Sequence, residues 1–430
     1  MTMAGPAGDG QGLFHKLAAM PVNVWGWMKH KAGTFLYEAK QQESAWAMPV
    51  SKDAVSRLGK QLSAQPDHPP GQKPGSSFSA LAGMEAELLK RIRQDTALRN
   101  MNNVARTQAY YAMYRRFPEL HWAFLAHMVS RNGGWSMTDL KGELIPHLLG
   151  AAQIEHTFQF LERANALIFH DAYPQLLLYE ESRRLGRPLF HLLPHLGVSA
   201  FMSPVWELFW DTNDSALLTT GLIINEQSYI ERRIVKNSYF REHVLDTLFF
   251  QSQSLLQLNQ VVFPYTDNED ISLAEDQLGR LRLAGLTVEN FGDLDERIGV
   301  GKKLYGILFG LPDVRFGAER FAAARPHTGS RADYWPHLFA PVRRSPPGPY
   351  AEKLHGCELR QGAAPLYSPK LEDAWKNRAM APAEPGDWFD SLGALRHFGT
   401  IEPPRAFEMS LEACTGLHKL ELAVLAGEVF

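Results

Sequence analysis

A polar cluster between Pro326 and His337 carries the groups that can bind an anion. It combines three hydroxyls, a glycine amide, an arginine and two histidines in a segment without helical periodicity. Backbone amides and a planar guanidinium suit a phosphate or carboxylate, so Arg331 is predicted to bind such a ligand. The alternative is a self-contained turn in which Asp333 caps the backbone and Arg331 pairs with an acidic residue on a helix. The groups assigned to ligand binding here are Thr328, Ser330, Arg331 and Tyr334, and those assigned to proton transfer are His327 and His337.

Two carboxylates on apolar helical faces are further candidates for chemistry. Glu226 is flanked, three and four residues away, by leucine, isoleucine and tyrosine. Because an unpaired buried carboxylate is costly, Glu226 is expected to have a partner or a raised pKa. Glu155 lies beside alanines and a phenylalanine on its own helical face. The alternative role for these carboxylates is a structural ion pair, and the candidate partners are Arg131, Arg163 and Arg232.

Histidines are concentrated in one part of the chain, where seven of the 16 fall between residues 121 and 195. Neutral imidazole suits metal binding and proton transfer near neutral pH, and His156 is predicted to transfer protons. His191 and His195 are four residues apart, but Pro194 interrupts a helix between them, and a tight zinc site needs three or four ligands. No residue is therefore assigned to a metal and no cofactor is specified. A metal-dependent enzyme that uses these histidines stays open as an alternative.

These groups together predict a pocket for a small anionic ligand between a helical body and the 326–337 cluster. The pocket would either bind the ligand only or also catalyse its reaction. Arginine would hold the anion, and histidine or glutamate would move protons. The residues expected to line this pocket are Arg131, Glu155, His156, Glu226, His327, Arg331 and His337.

The elements that must position these residues are predominantly helices. From Leu81 to Leu311, apolar residues recur at helical spacing. Gly133 and Gly134 are expected to end a helix that begins at Pro118, and no run with the period-two alternation of strands stands out. The prediction is an all-α protein with a large multi-helix body. The long helical stretches are His147–Phe169, Ala216–Val235 and His243–Val262.

Proline usage divides the chain. Of the 27 prolines, 13 lie between residues 312 and 404, in a span that is too rich in aromatic residues to be disordered. This predicts a proline-rich, mostly irregular C-terminal extension that wraps over the helical body and ends in an apolar helix. The predicted division is an N-terminal amphipathic helical segment at 1–60, a linker at 61–80, a helical core domain at 81–311, and the extension with its final helix at 312–430.

The segment Leu13–Lys31 supports a second hypothesis. Apolar residues recur there at helical spacing with two tryptophans beside them, and no acidic residue occurs between Asp9 and Glu38. This pattern is typical of a helix that lies in a membrane interface, and a helix packed on the protein's own core is the other interpretation. The second hypothesis is a non-enzymatic peripheral-membrane or partner-binding protein.

Charge and cysteine content exclude some classes of protein. The chain has 44 basic and 47 acidic residues and a net charge of −3, whereas a dedicated nucleic-acid binder normally has a strong basic excess. Two cysteines cannot form a disulfide framework, so a reducing cytoplasm is the expected compartment. Contact with the inner face of the membrane would then occur through Leu13–Lys31.

Four motifs run through the helical body and the extension. They are RTQAYYAMYRRFPELHWAFLAHMVSRNGGWSMTDLKGEL at 106–144, NEQSYIE at 225–231, PHTGSRADYWPHLF at 326–339 and YSPKLEDAW at 367–375. These motifs resemble the YppC-like family of bacterial proteins of unknown function, and the resemblance covers roughly Leu98 to Trp375. It implies a soluble bacterial protein and assigns no activity, so no catalytic residue is carried over from it.

Overall fold

A computed structural model describes residues 31–64, 83–247, 250, 259–266, 281–344 and 350–427. These residues are mostly helical, as predicted, and small sheets accompany the helices. Most of the Leu13–Lys31 segment and of the predicted linker 61–80 lies outside the described residues. The helices are α1 (31–43), α2 (Lys52–Ser63), α3 (Gly83–Arg99), α4 (Asn103–Arg116), α5 (His121–Asp139), α6 (Ile145–Leu148), α7 (Ala151–Leu185), α8 (Met202–Thr212), α9 (Ser215–Ile230), α10 (Ser238–Phe240), α11 (Leu294–Gly310), α12 (Pro312–Ala324), α13 (Leu371–Ala374) and α14 (Ser410–Gly427).

The core is built from α4, α5, α7 and α9, which pack against one another. The longest of these helices, α7, ends where Gly186 adopts a φ of 67°, the left-handed conformation that closes many helices. Asp214 caps the N-terminus of α9, because its carboxylate accepts a hydrogen bond from the Leu217 amide at 2.9 Å. Because α9 is apolar around most of its circumference, it is buried on nearly all sides. Polar residues on α7 and α9 therefore lie in the protein interior.

An antiparallel pair of strands, β1 (Gln260–Tyr265) and β2 (Arg282–Thr287), corrects two predictions. No strand was expected, and the helix predicted at His243–Val262 ran into β1. Asn132 on α5 accepts a hydrogen bond from the Val262 amide at 2.9 Å and donates to the Val262 carbonyl at 2.8 Å. A side chain of α5 thus bonds to the backbone N–H and C=O groups at the edge of β1. The local periodicity of the sequence cannot reveal such a long-range contact. The shorter strands are β3 (Phe339–Ala340), β4 (Leu354–His355), β5 (Glu358–Leu359) and β6 (Leu366–Tyr367).

The helix α5 continues to Asp139, so the predicted helix end at Gly133–Gly134 is wrong. Gly134 serves a different purpose, because a Cβ atom there would lie within 3.0 Å of both His327 Nε2 and Asn103 Oδ1. The missing side chain lets the segment that carries His327 come into close contact with the helix. The glycine therefore reflects packing and does not mark a turn.

The span from residue 312 onward contains helical and irregular parts. Pro312 occupies the first turn of α12, where its missing N–H costs nothing. Residues 375–390 have no regular secondary structure. Arg163 and Arg233 of the helical body donate to carbonyl oxygens of this stretch at distances of 2.8–3.1 Å. The stretch thus lies on the helical body, held by side chain to backbone hydrogen bonds.

Cys357 and Cys414 form a disulfide, with their Cα atoms 5.5 Å apart. The bond joins the turn between β4 and β5 to α14. Disulfides persist mainly in oxidising compartments. The expectation of a reducing cytoplasm therefore loses the support that it drew from the cysteine count.

Candidate functional site

Arg131, predicted to bind the ligand, is fully buried within α5. Its Nε donates to His127 Nε2 at 3.2 Å, its Nη2 donates to the Arg325 carbonyl, and its guanidinium lies 4.8 Å from the centre of the Phe321 ring. Burial lowers the pKa of Arg131 to about 10. Within the described residues it forms no ion pair with a carboxylate, and its Nη1 atom has no hydrogen-bond partner. Its contacts tie α5 to the chain just before the 326–337 cluster.

His327 and Asp333 belong to the same buried network. His327 Nε2 lies 2.9 Å from Asn103 Oδ1, and His327 Nδ1 lies 3.4 Å from Asp333 Oδ2. Asp333 also accepts hydrogen bonds from the Thr328 amide at 2.9 Å and from the Thr328 hydroxyl at 2.6 Å. Burial lowers the pKa of His327. Burial alone would raise the pKa of Asp333, but its contacts with His327 and Thr328 lower it below the ordinary value. Most of these polar atoms thus bond to one another inside the protein, whereas His327 Nδ1 has no hydrogen-bond partner among the described residues.

Arg331 pairs with Asp139 at the end of α5, with three N–O distances of 2.7–2.9 Å, and it also donates to the Tyr334 hydroxyl. Ser330 donates to the Ser368 carbonyl at 2.5 Å. A self-contained turn whose arginine pairs with a helix acid, the alternative interpretation of this cluster, matches these contacts. The cavity beside Arg331 has a volume of about 70 Å³, whereas sites for organic ligands typically have about 300–1,000 Å³.

Glu226 has uncharged hydrogen-bond partners and a raised pKa, as its apolar neighbours in the sequence predicted. Its Oε2 accepts from Trp122 Nε1 and its Oε1 accepts from Gln227 Nε2, both at 3.2 Å. Burial raises the pKa of Glu226 to about 8, and the charge of nearby Asp171 acts in the same direction. Within the described residues no arginine or lysine pairs with this carboxylate. Glu226 is therefore largely neutral at pH 7.

Asp171 on α7 is a buried acid that was not among the residues predicted from the sequence. Its Oδ2 accepts from Asn225 and, at 3.0 Å, from Gln175. Trp206 donates to Gln175 and Trp388 donates to Asn225, both at 2.8 Å. Burial raises the pKa of Asp171 to about 7, and its Oδ1 has no partner among the described residues. This polar network joins α7, α8 and α9 to the C-terminal stretch through Trp388.

The other predicted proton-transfer residues lie elsewhere. Glu155 pairs with Arg378, with one N–O distance of 3.1 Å. The ring of His156 contacts the ring of His243, with centroids 4.7 Å apart. His337 is exposed. The structure thus brings Arg131, His327 and Thr328 into one network and Arg331, Tyr334 and Ser330 into its neighbourhood, but none of the described contacts joins Glu226, Glu155, His156 or His337 to them.

A cleft of about 700 Å³ opens at a different place on the helical body. It lies between α3, α7, the turn at Phe190–Leu196 and residues 377–380. Among the described residues that line it, none is an aspartate or a glutamate. Arg93 Nη2 donates to the His195 carbonyl at 2.5 Å across one corner of the cleft. Its polar lining includes Arg93, Asn100, His170, His195, Asn377 and Arg378.

The surroundings of His170 in this cleft change its pKa. Burial lowers its pKa, and the positive charges of Arg163 and Arg233 lower it further. His170 is therefore neutral at pH 7 in a region of positive potential. The apolar walls next to it are formed by Met101, Pro174, Leu196 and Met380.

Part of this cleft is predictable from the sequence, and part is not. His170 and His195 fall within the histidine-rich stretch 121–195, whose composition indicates proton transfer or metal binding. Arg93 and Arg378 carried no local signal, because exposed arginines are common on protein surfaces and the two are far apart in the chain. Only the packing of residues 377–380 onto the helical body brings them to one cleft.

Two features are absent from the part of the chain that the structure describes. No three histidine, cysteine, aspartate or glutamate residues come together there as metal ligands. None of the described helices has both the length and the apolar character needed to cross a bilayer. The alternative of a histidine metal centre therefore gains no support from these residues.

The residues of the buried network fall within a known family. A family described as a protein of unknown function (DUF2515) matches residues 99–415. The chain belongs to this family. A protein of Bacillus subtilis strain 168, described as uncharacterized protein YppC, is 43% identical to it over 307 residues, which is 70% of this chain and 91% of that protein. This confirms the resemblance carried by the four motifs, and no solved structure matches the chain.

The DUF2515 match covers the cleft unevenly. His170, His195 and Arg378 lie inside residues 99–415, and Arg93 lies just before them. The Arg131–His327 network lies inside the match entirely. The cleft is thus composed mostly of the family region, with one arginine contributed by the preceding helix α3.

Proposed function

We propose that the protein binds a small organic anion in the cleft lined by Arg93, His170, His195 and Arg378. The observation that supports this is a volume of about 700 Å³ combined with a basic lining that has no acidic residue among those described. The ligand class is the one predicted from the sequence, whereas the location differs. The polar groups of the 326–337 cluster bond to the protein itself, and the cavity beside Arg331 is too small.

The charges around the cleft favour an anion. Arg93 and Arg378 border it directly, and Arg163 and Arg233 are close enough to His170 to lower its pKa. Glu155 neutralises part of this charge through its pair with Arg378. A cleft with low-dielectric walls and charge of one sign concentrates ligands of the opposite sign.

The apolar walls restrict the ligand further. Pro174, Leu196 and the two methionines would contact an uncharged part of the ligand, while the arginines bind its acidic group. The ligand class is therefore a carboxylate, sulfonate or phosphate monoester that also has an apolar body. Residues 377–380 form one wall, so we also propose that the proline-rich extension completes the cleft over the helical body.

Replacing Arg93 with glutamine is expected to weaken binding of anilinonaphthalene sulfonate about tenfold, because a charge-assisted hydrogen bond contributes about 1.5–3 kcal/mol. This fluorescent probe has an apolar body and one sulfonate. N-phenylnaphthylamine has the same rings without the charge, and its binding is expected to stay unchanged. Fluorescence titration of both probes measures the two effects.

The matched control is Arg91→Gln on the same helix. Arg91 is exposed and pairs with Glu181 outside the cleft, so its replacement leaves sulfonate binding at the wild-type level. Equal affinity of Arg93→Gln and wild type for the sulfonate would contradict the proposal. A loss of affinity for both probes would show that the variant damages an apolar surface and not an anion site.

Sulfonate binding is also expected to strengthen as the pH is lowered from about 8 to about 6. A bound anion favours the protonated imidazole and raises the lowered pKa of His170, so binding takes up a proton and acid promotes it. The variant His170→Gln should flatten this dependence, whereas His191→Gln, at an exposed histidine outside the cleft, should preserve it. A full pH dependence in His170→Gln would mean that this imidazole does not face the ligand.

A further inference from the structure

The cleft wall at 377–380 belongs to a longer irregular segment, residues 376–387, which we call the strap. None of its backbone amides donates to a backbone carbonyl among the described residues. Most of its residues are exposed, whereas Met380 is half-buried and packs against apolar side chains of the helical body. Because the strap has no hydrogen-bond ladder of its own, its position depends on bonds to its surroundings.

A tryptophan fixes the chain at each end of the strap. Trp375 is buried, its Nε1 donates to the Met137 carbonyl at 2.8 Å, and its ring stacks on that of Phe158 with centroids 3.8 Å apart. At the other end, the half-buried Trp388 donates to Asn225 at 2.8 Å. Each of these side chains combines apolar contacts with a hydrogen bond, so both ends of the strap are held on the helical body.

Between the two tryptophans, the attachment of the strap is mainly polar. Arg163 Nη2 donates to the Pro382 carbonyl at 2.9 Å. Arg233 Nη2 donates to the carbonyls of Glu384 and Gly386, both at 2.8 Å. Since the strap is largely exposed, water can replace an arginine as the donor to these carbonyls. Segments with few buried apolar contacts and exposed hydrogen bonds open at a low cost in free energy.

The cleft has one wall on the strap and another on a fixed helix. Asn377, Arg378 and Met380 line it from the strap, and His170 lines it from α7. A ligand that contacts both walls binds better when the strap is attached than when it is detached. Such a ligand therefore shifts the equilibrium toward the attached form.

We propose that the strap is a lid, which detaches between Trp375 and Trp388 to admit or release the ligand and attaches again over it. This inference rests on the proposed function, because it takes the cleft as the binding site. Gly386 has a φ of 121°, a conformation that favours glycine, and it provides a bend near the second fixed end. Arg163 and Arg233 hold the closed form through their bonds to the strap.

Limited trypsin digestion of the full chain measures detachment, because Lys376 and Arg378 are exposed residues of the strap. Anilinonaphthalene sulfonate at about ten times its dissociation constant is expected to slow cleavage after both residues about tenfold, since it binds the attached form. Cleavage after Arg405, an exposed residue of an irregular segment that does not line the cleft, should keep its rate. Mass spectrometry of the fragments gives each rate. Equal cleavage of the strap with and without bound sulfonate would overturn the lid.

The variant Arg163→Lys tests the closed form. Lysine keeps the positive charge but lacks the planar fork that donates to the strap. Because entry and exit both need the open form, the association and dissociation rate constants of the sulfonate should rise together about fivefold. Arg184→Lys is the matched control on the same helix, since Arg184 pairs with Glu181 outside the cleft. It should leave both rate constants, measured by stopped-flow fluorescence, at the wild-type level.

The outcomes separate the lid from the proposed function. Unchanged rate constants in Arg163→Lys would make the strap a fixed wall and overturn the lid, even if sulfonate binding still depends on Arg93. Sulfonate binding that does not depend on Arg93 would contradict the proposed function, and the lid with it. The digestion uses the wild type, so it decides the question if Arg163→Lys lowers the melting temperature.

Discussion

Gly134→Ala is expected to destabilise the folded protein by about 3 kcal/mol or more. The added methyl group would overlap His327 Nε2 and Asn103 Oδ1, which are bonded to each other. Asn103 also donates to the Ser130 carbonyl at 2.9 Å, so it cannot turn away without leaving buried polar groups unsatisfied. Urea unfolding followed by circular dichroism gives the loss in free energy of unfolding.

Gly299→Ala provides the control for this effect. Gly299 lies inside α11, and an added Cβ would have nothing within 4 Å. Alanine there should stabilise the protein by up to about 1 kcal/mol, because it is the better helix former. The two substitutions are chemically identical and differ only in the surrounding space. If Gly134→Ala proves as stable as the wild type, the close packing of the His327 segment on α5 is refuted.

The free energy of unfolding is expected to fall by about 2 kcal/mol between pH 7 and pH 9. Asp171 and Glu226 ionise in this range, because their pKa values are about 7 and about 8. Both values lie above the ordinary value of an unfolded carboxyl, so the folded state favours the neutral acids. Their contribution to stability is complete below about pH 4 and is lost as the pH rises through the folded-state values. Acids with lowered pKa values, such as Asp333, titrate at lower pH, so they do not contribute to the change in stability between pH 7 and pH 9.

The double variant Asp171→Asn/Glu226→Gln should have a nearly constant free energy of unfolding between pH 7 and pH 9. Its stability relative to the wild type should therefore increase with pH. Glu242→Gln, at an exposed carboxylate, should follow the wild-type curve. A wild-type stability that does not change over this range, or a double variant with the same slope as the wild type, would show that these acids are not held neutral.

Asp171 lies on the same helix as the cleft residue His170, which connects stability with binding. His170 lines the cleft and Asp171, the next residue of α7, enters the interior network. That network reaches Trp388 in the C-terminal stretch, which also provides residues 377–380 of the cleft wall. Substitutions of Asp171 should therefore be tested for stability before their effect on ligand binding is interpreted.

Local patterns in the sequence determined the helical class and the special status of Glu226. Helical spacing of apolar residues reports burial of one face, so the start of α7 and both ends of α9 were predicted to within five residues. The predicted end of α7 at Phe169 was wrong, because the helix continues to Leu185. A carboxylate among apolar neighbours must find partners or change its pKa, wherever those partners come from. The 326–337 cluster was recognised as ordered, and its self-contained form was one of two interpretations of the same residues.

Tertiary contacts alone decided the rest. His327 and Asn103 are 224 residues apart in the chain and are hydrogen-bonded beside Gly134. The glycine leaves room for this contact, whereas the Gly133–Gly134 pair on its own is typical of a helix end. The side chain of Asn132 accepts a hydrogen bond from the edge of β1, which is 130 residues away in the chain. A strand therefore forms where local spacing predicted a helix. The cleft likewise needs Arg93 and Arg378 on one surface. Periodicity reports only which face of a segment is buried, whereas these features depend on which distant segment covers that face.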